Sequence, residues 1–290
     1  MCMWSQRTAK TVGKRGAGNM ADRQLGVVED TLYVPMLGRI YASENHRSIL
    51  YDRKALELKA HLPREVVEND SQTQYTYLAS AVRSANMDRF IADFLADRPE
   101  GVIVQLGCGL ETTYNRDDDG HAPWYGVDLP HVIDYRRTIL PESGREHYIA
   151  GSAFEEDWLE RVRREHSGAP LLVTASGLFY YFEEEQVLGL IRMLQGKGDI
   201  QLLFDAVSKS GMFMMRKKHM KTVGHEDARM FFYVGSAREL ASKVGGNVTV
   251  LAEENFYCHV SKVGLRLSTK LSMRVSDLLG MVKMVHLGLS

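Results

Sequence analysis

The chain has 290 residues, of which 44% are hydrophobic and 25% are charged, as in an ordinary globular protein. Its 36 lysines and arginines nearly balance its 37 aspartates and glutamates, which argues against a nucleic acid or a membrane surface as partner. Three widely spaced cysteines argue against a disulfide framework and a cysteine-based metal site, and no apolar run reaches the length of a membrane span. We therefore expect a cytoplasmic protein without a metal.

The first 98 residues are expected to precede a sheet. Residues 1–20 are basic and lack the apolar region of a targeting signal, so we interpret them as a flexible tail. Residues 21–98 are predicted to form a helical cap. In this cap one helix begins after Asp52 as N-cap, and a longer helix covers residues 71–95 and stops before Pro99.

The segment 101–130 is the most informative part of the chain. It predicts a buried strand, a tight turn at Gly107, Cys108 and Gly109, a short helix, and a second strand that ends on Asp128. Because glycines carry no side chain, polar atoms of a ligand can approach the backbone amides of such a turn. An acidic residue at the tip of the next strand can accept hydrogen bonds from two ribose hydroxyls. The pair indicates a ligand that contains a nucleoside.

The spacing of the turn favours S-adenosylmethionine over a dinucleotide. A dinucleotide fingerprint has a third glycine three residues beyond the second, where this chain has Thr112. A purely structural turn is a further alternative, although it leaves Asp128 without a role. The residues of the turn alone leave these alternatives open.

Strand and helix segments alternate after residue 130, which predicts an α/β fold with a mostly parallel sheet. One strand is expected to end on Asp205, and residues 206–234, rich in methionine and lysine, form the candidate lid. Apolar residues recur every three or four positions over 256–278, which predicts one long amphipathic helix. The later strands are predicted at 147–150, 171–176, 200–204, 248–251 and, antiparallel, 281–289.

Four separated segments carry a resemblance to a known family. They read TLYVPMLGRIYASE, VIVQLGCGLETTYNR, WYGVDLPHVIDYRR and LLVTASGLFYYF. Together they resemble the leucine carboxyl methyltransferase family, in particular its bacterial branch of polyketide O-methyltransferases. The resemblance implies a class I S-adenosylmethionine-dependent methyltransferase: a Rossmann-like, seven-stranded, mostly parallel sheet with helices on both faces. Residues 99–290 would be its core, and the implied reaction is O-methylation of a carboxylate or hydroxyl of a small molecule.

The same resemblance implies the residues that contact the cofactor. Gly107, Cys108 and Gly109 would lie at its methionine end, with Cys108 contributing its backbone, and Asp128 would bind the ribose hydroxyls. Arg83 would face the cofactor carboxylate, for which a guanidinium fork is suited. The residues expected beside the adenosine are Leu129, Ser152, Ala153 and Phe154.

Three residues are candidate contacts for the methyl acceptor. Arg39 and Tyr181 match substrate-facing positions of the family, and we expect them to position the acceptor oxygen; for Tyr181 the alternative is aromatic packing. His225, in the candidate lid, would act as a base for a phenol or alcohol, whereas a carboxylate is already ionised and needs none. An exposed loop residue is the alternative for His225.

Ser176 marks a departure from the family pattern. The protein-methylating branch has an acidic residue here, and a hydroxyl cannot pair with the cofactor's ammonium as a carboxylate does. The departure favours a small-molecule acceptor over a protein C-terminus. A catalytically silent, cofactor-binding relic of the fold is the third interpretation, and we expect a monomer or homodimer.

Overall fold

The computed structural model of the chain describes residues 28–68, 72–214 and 230–289. The predicted tail at 1–20 lies outside these residues, as do His225 and the middle of the candidate lid.

Seven strands form one sheet in the order β3-β2-β1-β4-β5-β7-β6. They are β1 (Val102–Leu106), β2 (Trp124–Asp128), β3 (Glu146–Ala150), β4 (Leu171–Ala175), β5 (Ile200–Val207), β6 (Val248–Asn255) and β7 (Val282–Leu289). Strands β1 to β5 are parallel to one another, and β7 is antiparallel to both β5 and β6. The strand order reverses between β1 and β4, which is where ligands bind in open α/β sheets. The predicted fold class and its antiparallel strand are confirmed.

Ten α-helices that begin and end within the described residues surround this sheet. They are α1 (Val28–Asn45), α2 (Arg53–Leu58), α3 (Arg64–Val67), α4 (Gln74–Asp97), α5 (Thr113–Asp117), α6 (Pro130–Ile139), α7 (Asp157–Glu165), α8 (Glu184–Leu194), α9 (Ala237–Val244) and α10 (Leu267–Leu278). The carboxylate of Asp52 accepts a hydrogen bond from Ala55 N at 2.8 Å and caps α2 as predicted. The side chains of Thr73 and Ser236 cap α4 and α9 in the same way.

The core lies on both faces of the sheet, because successive side chains of a strand point to opposite sides. In β1, Val104 packs with residues of α7 and α8, whereas Ile103 packs on the other face with residues of α4. All residues of β1, β4 and β5 are buried. These central strands therefore hold the loops at their carboxyl ends in fixed positions.

The predicted end of β5 is wrong. The strand continues to Val207 and pairs with β7 along its whole length, so Asp205 lies inside the strand, opposite Met284. Strand β7 comes from the far end of the sequence, and its hydrogen bonds extend β5 beyond the apolar run that identified it.

The long helix predicted over 256–278 is also wrong. Only α10 is helical there, and the preceding residues form turns in which Tyr257 N donates to the side chain of Asp277 at 3.0 Å. On α10 the leucines at 267, 271 and 278 are exposed, whereas Thr269, Met273 and Ser276 are buried. The periodicity predicted the helix but not the face that packs on the sheet.

His286 is a buried residue of β7. Its side chain is 8% exposed, its ring packs edge-on against Phe90, and its Nε2 has no hydrogen-bond partner among the described residues. Burial, aided by the positive charge of Arg98, lowers the pKa of His286 from 6.5 to about 4.

This lowered pKa predicts a loss of stability in mild acid. The unfolded chain takes up the proton near pH 6.5 and the folded chain only near pH 4, so His286 stabilises the fold fully above pH 6.5 and less as the pH falls towards 4. Between pH 7 and pH 5 we expect the free energy of unfolding to fall by about 2 kcal/mol on this account. Urea unfolding at both pH values measures it.

His286→Phe should abolish most of that pH-dependent loss, since phenylalanine keeps an aromatic ring against Phe90 and cannot be protonated. Substitution of the exposed His121 by glutamine is the matched control and should leave the pH dependence as in the unmodified protein. Equal pH slopes for His286→Phe and the unmodified protein would contradict the prediction.

Candidate active site

The turn after β1 requires glycine at two positions. Gly107 and Gly109 have φ values of 63° and 44°, in the left-handed region that residues with a side chain rarely adopt. A Cβ on Gly107 would also lie 2.8 Å from a methyl carbon of Leu178. Gly107 N donates to Val127 O at 2.8 Å, which fixes the turn against β2. The predicted glycine turn is therefore present at the carboxyl end of β1.

Asp128 lies directly beside this turn. Its Oδ2 accepts a hydrogen bond from Gly109 N, and its Oδ1 accepts one from Leu129 N, both at 2.8 Å. Burial raises the pKa of Asp128, and the two N–H groups and Arg136 act in the opposite direction. Each carboxylate oxygen keeps a further lone pair for a ligand hydroxyl. This geometry fits the ribose of the cofactor.

The thiol of Cys108, between the two glycines, is buried. Its side chain is 3% exposed, and burial raises the pKa of the thiol to about 12, so it is neutral at physiological pH. From behind, Arg136 donates to Gly109 O at 2.9 Å and to Glu146 at 2.9 Å. Cys108 and Cys258 are both free thiols.

Arg39 is buried among protein groups. It is 1% exposed, and its three donor groups bond Asp52 (Nε, 3.1 Å), Glu111 (Nη1, 3.0 Å) and the carbonyl oxygen of Leu110 (Nη2, 2.7 Å). The role that we predicted for Arg39 at the acceptor oxygen does not fit these contacts, because its guanidinium is committed to protein groups behind the glycine turn. Segment similarity located the residue but not the direction of its side chain.

Arg116 completes a buried ion network with Arg39. Its Nη1 donates to Asp52 at 2.7 Å and to Glu111 at 3.1 Å, and its Nη2 donates to Asp88 at 2.8 Å. Burial alone would raise the pKa of Glu111, yet the two arginines lower it to about 2. The ionised network joins helices α1, α4 and α5 to Glu111, which follows the glycine turn. These contacts hold the turn in place.

Arg83 lies in a second polar group, which we call the Arg83 cluster: Arg83, Gly177, Tyr180 and Asp205. Arg83 Nε is 3.0 Å from Asp205 Oδ2, and Nη2 donates to the hydroxyl of Tyr180 at 3.1 Å. Asp205 Oδ1 accepts from Gly177 N at 2.6 Å. A Cβ on Gly177 would lie 2.5 Å from Arg83 Nη1, so glycine is required for this approach.

The Arg83 cluster lies at the carboxyl ends of β4 and β5, next to the glycine turn, which Leu178 contacts. Arg83 therefore lies close to the glycine turn. Sequence reasoning gave Asp205 no role. The signal was the one that singled out Asp128, an acidic residue near the carboxyl end of a buried strand.

The residues predicted beside the adenosine lie on loops after β2 and β3. Leu129 is 46% exposed, and the two loops are joined by a hydrogen bond from Gly151 N to Asp128 O. Ser152 Oγ accepts from Phe154 N at 3.2 Å, Ala153 O accepts from Trp158 Nε1 at 3.1 Å, and the ring of Phe154 packs against Phe182. The loops thus lie beside Asp128, and Phe154 reaches the segment that follows β4.

Tyr181 follows β4 and is 37% exposed, with its ring 4.7 Å from that of Tyr180. Burial raises the pKa of Tyr181, so its hydroxyl stays protonated at neutral pH. Ser176, two residues before Leu178, is half-buried at the end of the same strand. Both residues thus lie at the carboxyl edge of the sheet.

One group of metal-ligand types lies at the carboxyl end of β6, where Glu254 is level with Asp205 across β7. Ligand atoms of Glu254, Cys258 and His259 lie within 4.8 Å of one another among the described residues. The guanidinium of Arg89 bonds Glu254, and His259 Nε2 lies 3.1 Å from the same carboxylate. We assign no metal to this group because Glu254 already has a cationic partner.

Comparison with known proteins gives the same class of fold and cofactor as the geometry of the glycine turn and Asp128. The family model for leucine carboxyl methyltransferase matches residues 17–195. The chain belongs to the leucine carboxyl methyltransferase family. Its membership establishes it as a methyltransferase with S-adenosylmethionine as methyl donor, for which the glycine turn and Asp128 are suited.

No helix of the described residues is long and apolar enough to cross a membrane.

Relatives of this family member support the same assignment. The tetracenomycin polyketide synthesis O-methyltransferase TcmP of Streptomyces glaucescens is 29% identical over 224 residues, which cover 76% of this chain and 80% of the relative. Two solved structures share the fold. A DUF574-family protein from Streptomyces avermitilis has a TM-score of 0.57 at 13% identity, over 87% of this chain and 97% of its own. A methyltransferase-like protein from Thermobifida fusca has a TM-score of 0.50 at 14% identity, over 88% and 94%.

Proposed function

We propose that this methyltransferase transfers a methyl group to a carboxylate or hydroxyl oxygen of a small, flat and largely apolar acceptor of polyketide type. The observation that carries the proposal is the carboxylate of Asp128 held at the bare glycine turn by Gly109 N. It provides a nucleoside site at the switch point of the sheet. The similarity to TcmP supports an oxygen as the accepting atom.

The surroundings of Tyr181 support an apolar acceptor. Phe231 N donates to Tyr180 O at 2.8 Å, which brings residues 230–234 beside Tyr181. Tyr181, Phe231 and Tyr233 are each 37–40% exposed, and Met212 and Met230 pack beneath them with Tyr180. Aromatic faces of this kind bind flat apolar ligands, and methionine adapts to irregular shapes.

The residues of the site have little covalent chemistry to perform. S-adenosylmethionine would supply a methyl group on a sulfonium; the acceptor oxygen would bond to the methyl carbon in line with the breaking carbon–sulfur bond, and S-adenosylhomocysteine would leave. Asp128 and the glycine turn would hold the donor, and the protonated hydroxyl of Tyr181 would donate a hydrogen bond to the acceptor oxygen. A carboxylate acceptor needs no base. For a hydroxyl acceptor the proposed base is His225, which lies outside the described residues. A small-molecule partner in the cytoplasm, without nucleic acid, belongs to the same proposal.

The test has two steps. Calorimetric titration with S-adenosylhomocysteine and S-adenosylmethionine should give saturable binding of one ligand per chain. Transfer of labelled methyl groups should then be seen with at least one member of a panel of aromatic carboxylates and phenols. Absence of binding would overturn the cofactor assignment, and binding without transfer to any member would favour the relic interpretation.

Tyr181→Phe tests the acceptor contact. Loss of one hydrogen bond to the reacting oxygen should lower kcat by about 10-fold, with the affinity for S-adenosylhomocysteine unchanged. Tyr51→Phe, an exposed tyrosine on another surface, is the matched control. An unchanged kcat in Tyr181→Phe would leave aromatic packing as the role of Tyr181.

A further inference from the structure

We propose that Asp205 binds the α-ammonium group of the cofactor, in the role that the acidic residue at the position of Ser176 has in the protein-methylating branch. Arg83 then binds the neighbouring α-carboxylate. The inference rests on the proposed function, because it assumes that S-adenosylmethionine binds at the glycine turn.

The register of the sheet places Asp205 next to Ser176. Ala175 of β4 pairs with Phe204 of β5, so Ser176 and Asp205 are the next residues on adjacent strands, which lie about 4.8 Å apart. The hydrogen bond of 2.6 Å from Gly177 N to Asp205 Oδ1 confirms that the carboxylate reaches the end of β4. The chain therefore has a carboxylate close to the expected place, displaced by one strand.

Burial makes an unpaired Asp205 costly. The residue is 2% exposed, and its cationic partner Arg83 is 17% exposed at the side chain. Buried charges are tolerated when each has an opposite charge in contact. A zwitterion satisfies this condition for both residues, because its carboxylate can face the guanidinium while its ammonium faces Asp205. The four charges then alternate and sum to zero.

The contact between Arg83 and Asp205 leaves unused hydrogen-bond donors on the guanidinium and unused lone pairs on the carboxylate. It is a single approach of 3.0 Å at Nε, and Nε is not aligned for a hydrogen bond with any described residue. A closed, bidentate pair would use two parallel N–H donors instead. Arg83 thus retains donors for a second carboxylate, and Asp205 Oδ2 retains lone pairs for an ammonium.

The competing explanation is that Asp205 only holds Gly177 and Arg83 in place. The two explanations differ in their response to the ligand. A residue that binds the ammonium loses its effect when the ligand lacks the amino group, whereas a structural residue affects every ligand that occupies the site.

The experiment is a thermodynamic cycle measured by calorimetry. Its ligands are S-adenosylhomocysteine and the analogue in which hydrogen replaces the α-amino group. In the unmodified protein we expect the analogue to bind about 10- to 100-fold more weakly, since a charged hydrogen bond is lost. In Asp205→Asn, which keeps the acceptor for Gly177 N, S-adenosylhomocysteine should bind about as weakly as the analogue binds the unmodified protein, and the analogue should bind both proteins equally.

Asp199→Asn is the matched control, because Asp199 immediately precedes the opposite end of β5 and pairs with Arg98 at 3.3 Å. It should leave both affinities unchanged, and circular dichroism should show that both variants are folded. The inference is overturned if Asp205→Asn weakens both ligands by the same factor, or if the unmodified protein binds them equally. Failure of the unmodified protein to bind S-adenosylhomocysteine would instead overturn the proposed function, and this inference with it.

Discussion

Replacement of Asp128 by alanine is expected to weaken the binding of S-adenosylhomocysteine by at least about 100-fold. The variant loses the acceptor for two ribose hydroxyls, and a hydrogen bond to a charged group contributes about 1.5–3 kcal/mol. It also removes the acceptor of Gly109 N and Leu129 N, so that the glycine turn loses its support from β2. Calorimetric titration measures the loss, and circular dichroism verifies the fold.

Two further variants serve as an intermediate case and a control for Asp128→Ala. Asp128→Asn keeps one acceptor oxygen and should bind with intermediate affinity. Asp134→Ala removes a carboxylate from α6 that is 77% exposed and should bind like the unmodified protein. Binding by Asp128→Ala within a few-fold of the unmodified affinity would show that the ribose lies elsewhere.

Arg39→Ala is expected to destabilise the fold by about 3–5 kcal/mol, because it leaves Asp52 and Glu111 with one cation fewer in a buried network. For a chain of this size the melting temperature should fall by about 10 °C. Urea unfolding at pH 7 gives the free energy directly. Arg53→Ala is the control, because Arg53 is 82% exposed in its pair with Glu57 and an exposed pair contributes little.

The same variant separates the two roles considered for Arg39. A buried support of the glycine turn predicts lower stability and weaker cofactor binding together. A contact with the acceptor oxygen predicts unchanged stability and a lower kcat. The second result would restore the role predicted from the sequence and contradict the one inferred from the structure.

The amino-acid sequence by itself determined the features that depend on neighbouring residues. The glycine turn requires two residues that tolerate a left-handed backbone conformation. The sequence itself has glycine at both positions, Gly107 and Gly109. Asp128 follows its strand directly, so its place beside the turn follows from the parallel pairing of β1 and β2. Buried strands such as β1 and β4 are continuous apolar runs, which is why the α/β class was predictable.

Contacts between distant segments were decided by the tertiary structure. Arg39 meets Glu111, and Arg83 meets Asp205, only because the helices of the cap pack against the sheet. A sequence pattern gives the residue type at each position but not the direction of a long, flexible side chain. The contacts of Arg39 therefore differ from those predicted for it, and those of Asp205 were overlooked.

In the C-terminal third, too, local features were predictable from the sequence and contacts between distant segments were not. The repeat of apolar residues every three or four positions predicted the helix α10, since helical periodicity is a local property. Where β5 ends depends on β7, which inserts beside β5 from the end of the chain. Which face of α10 packs depends on α4, which lies far from it in the sequence. The sequence alone therefore determined the cofactor turn and the fold class. The tertiary structure decided which charges meet around them, because those pairs form only when elements far apart in the chain are packed together.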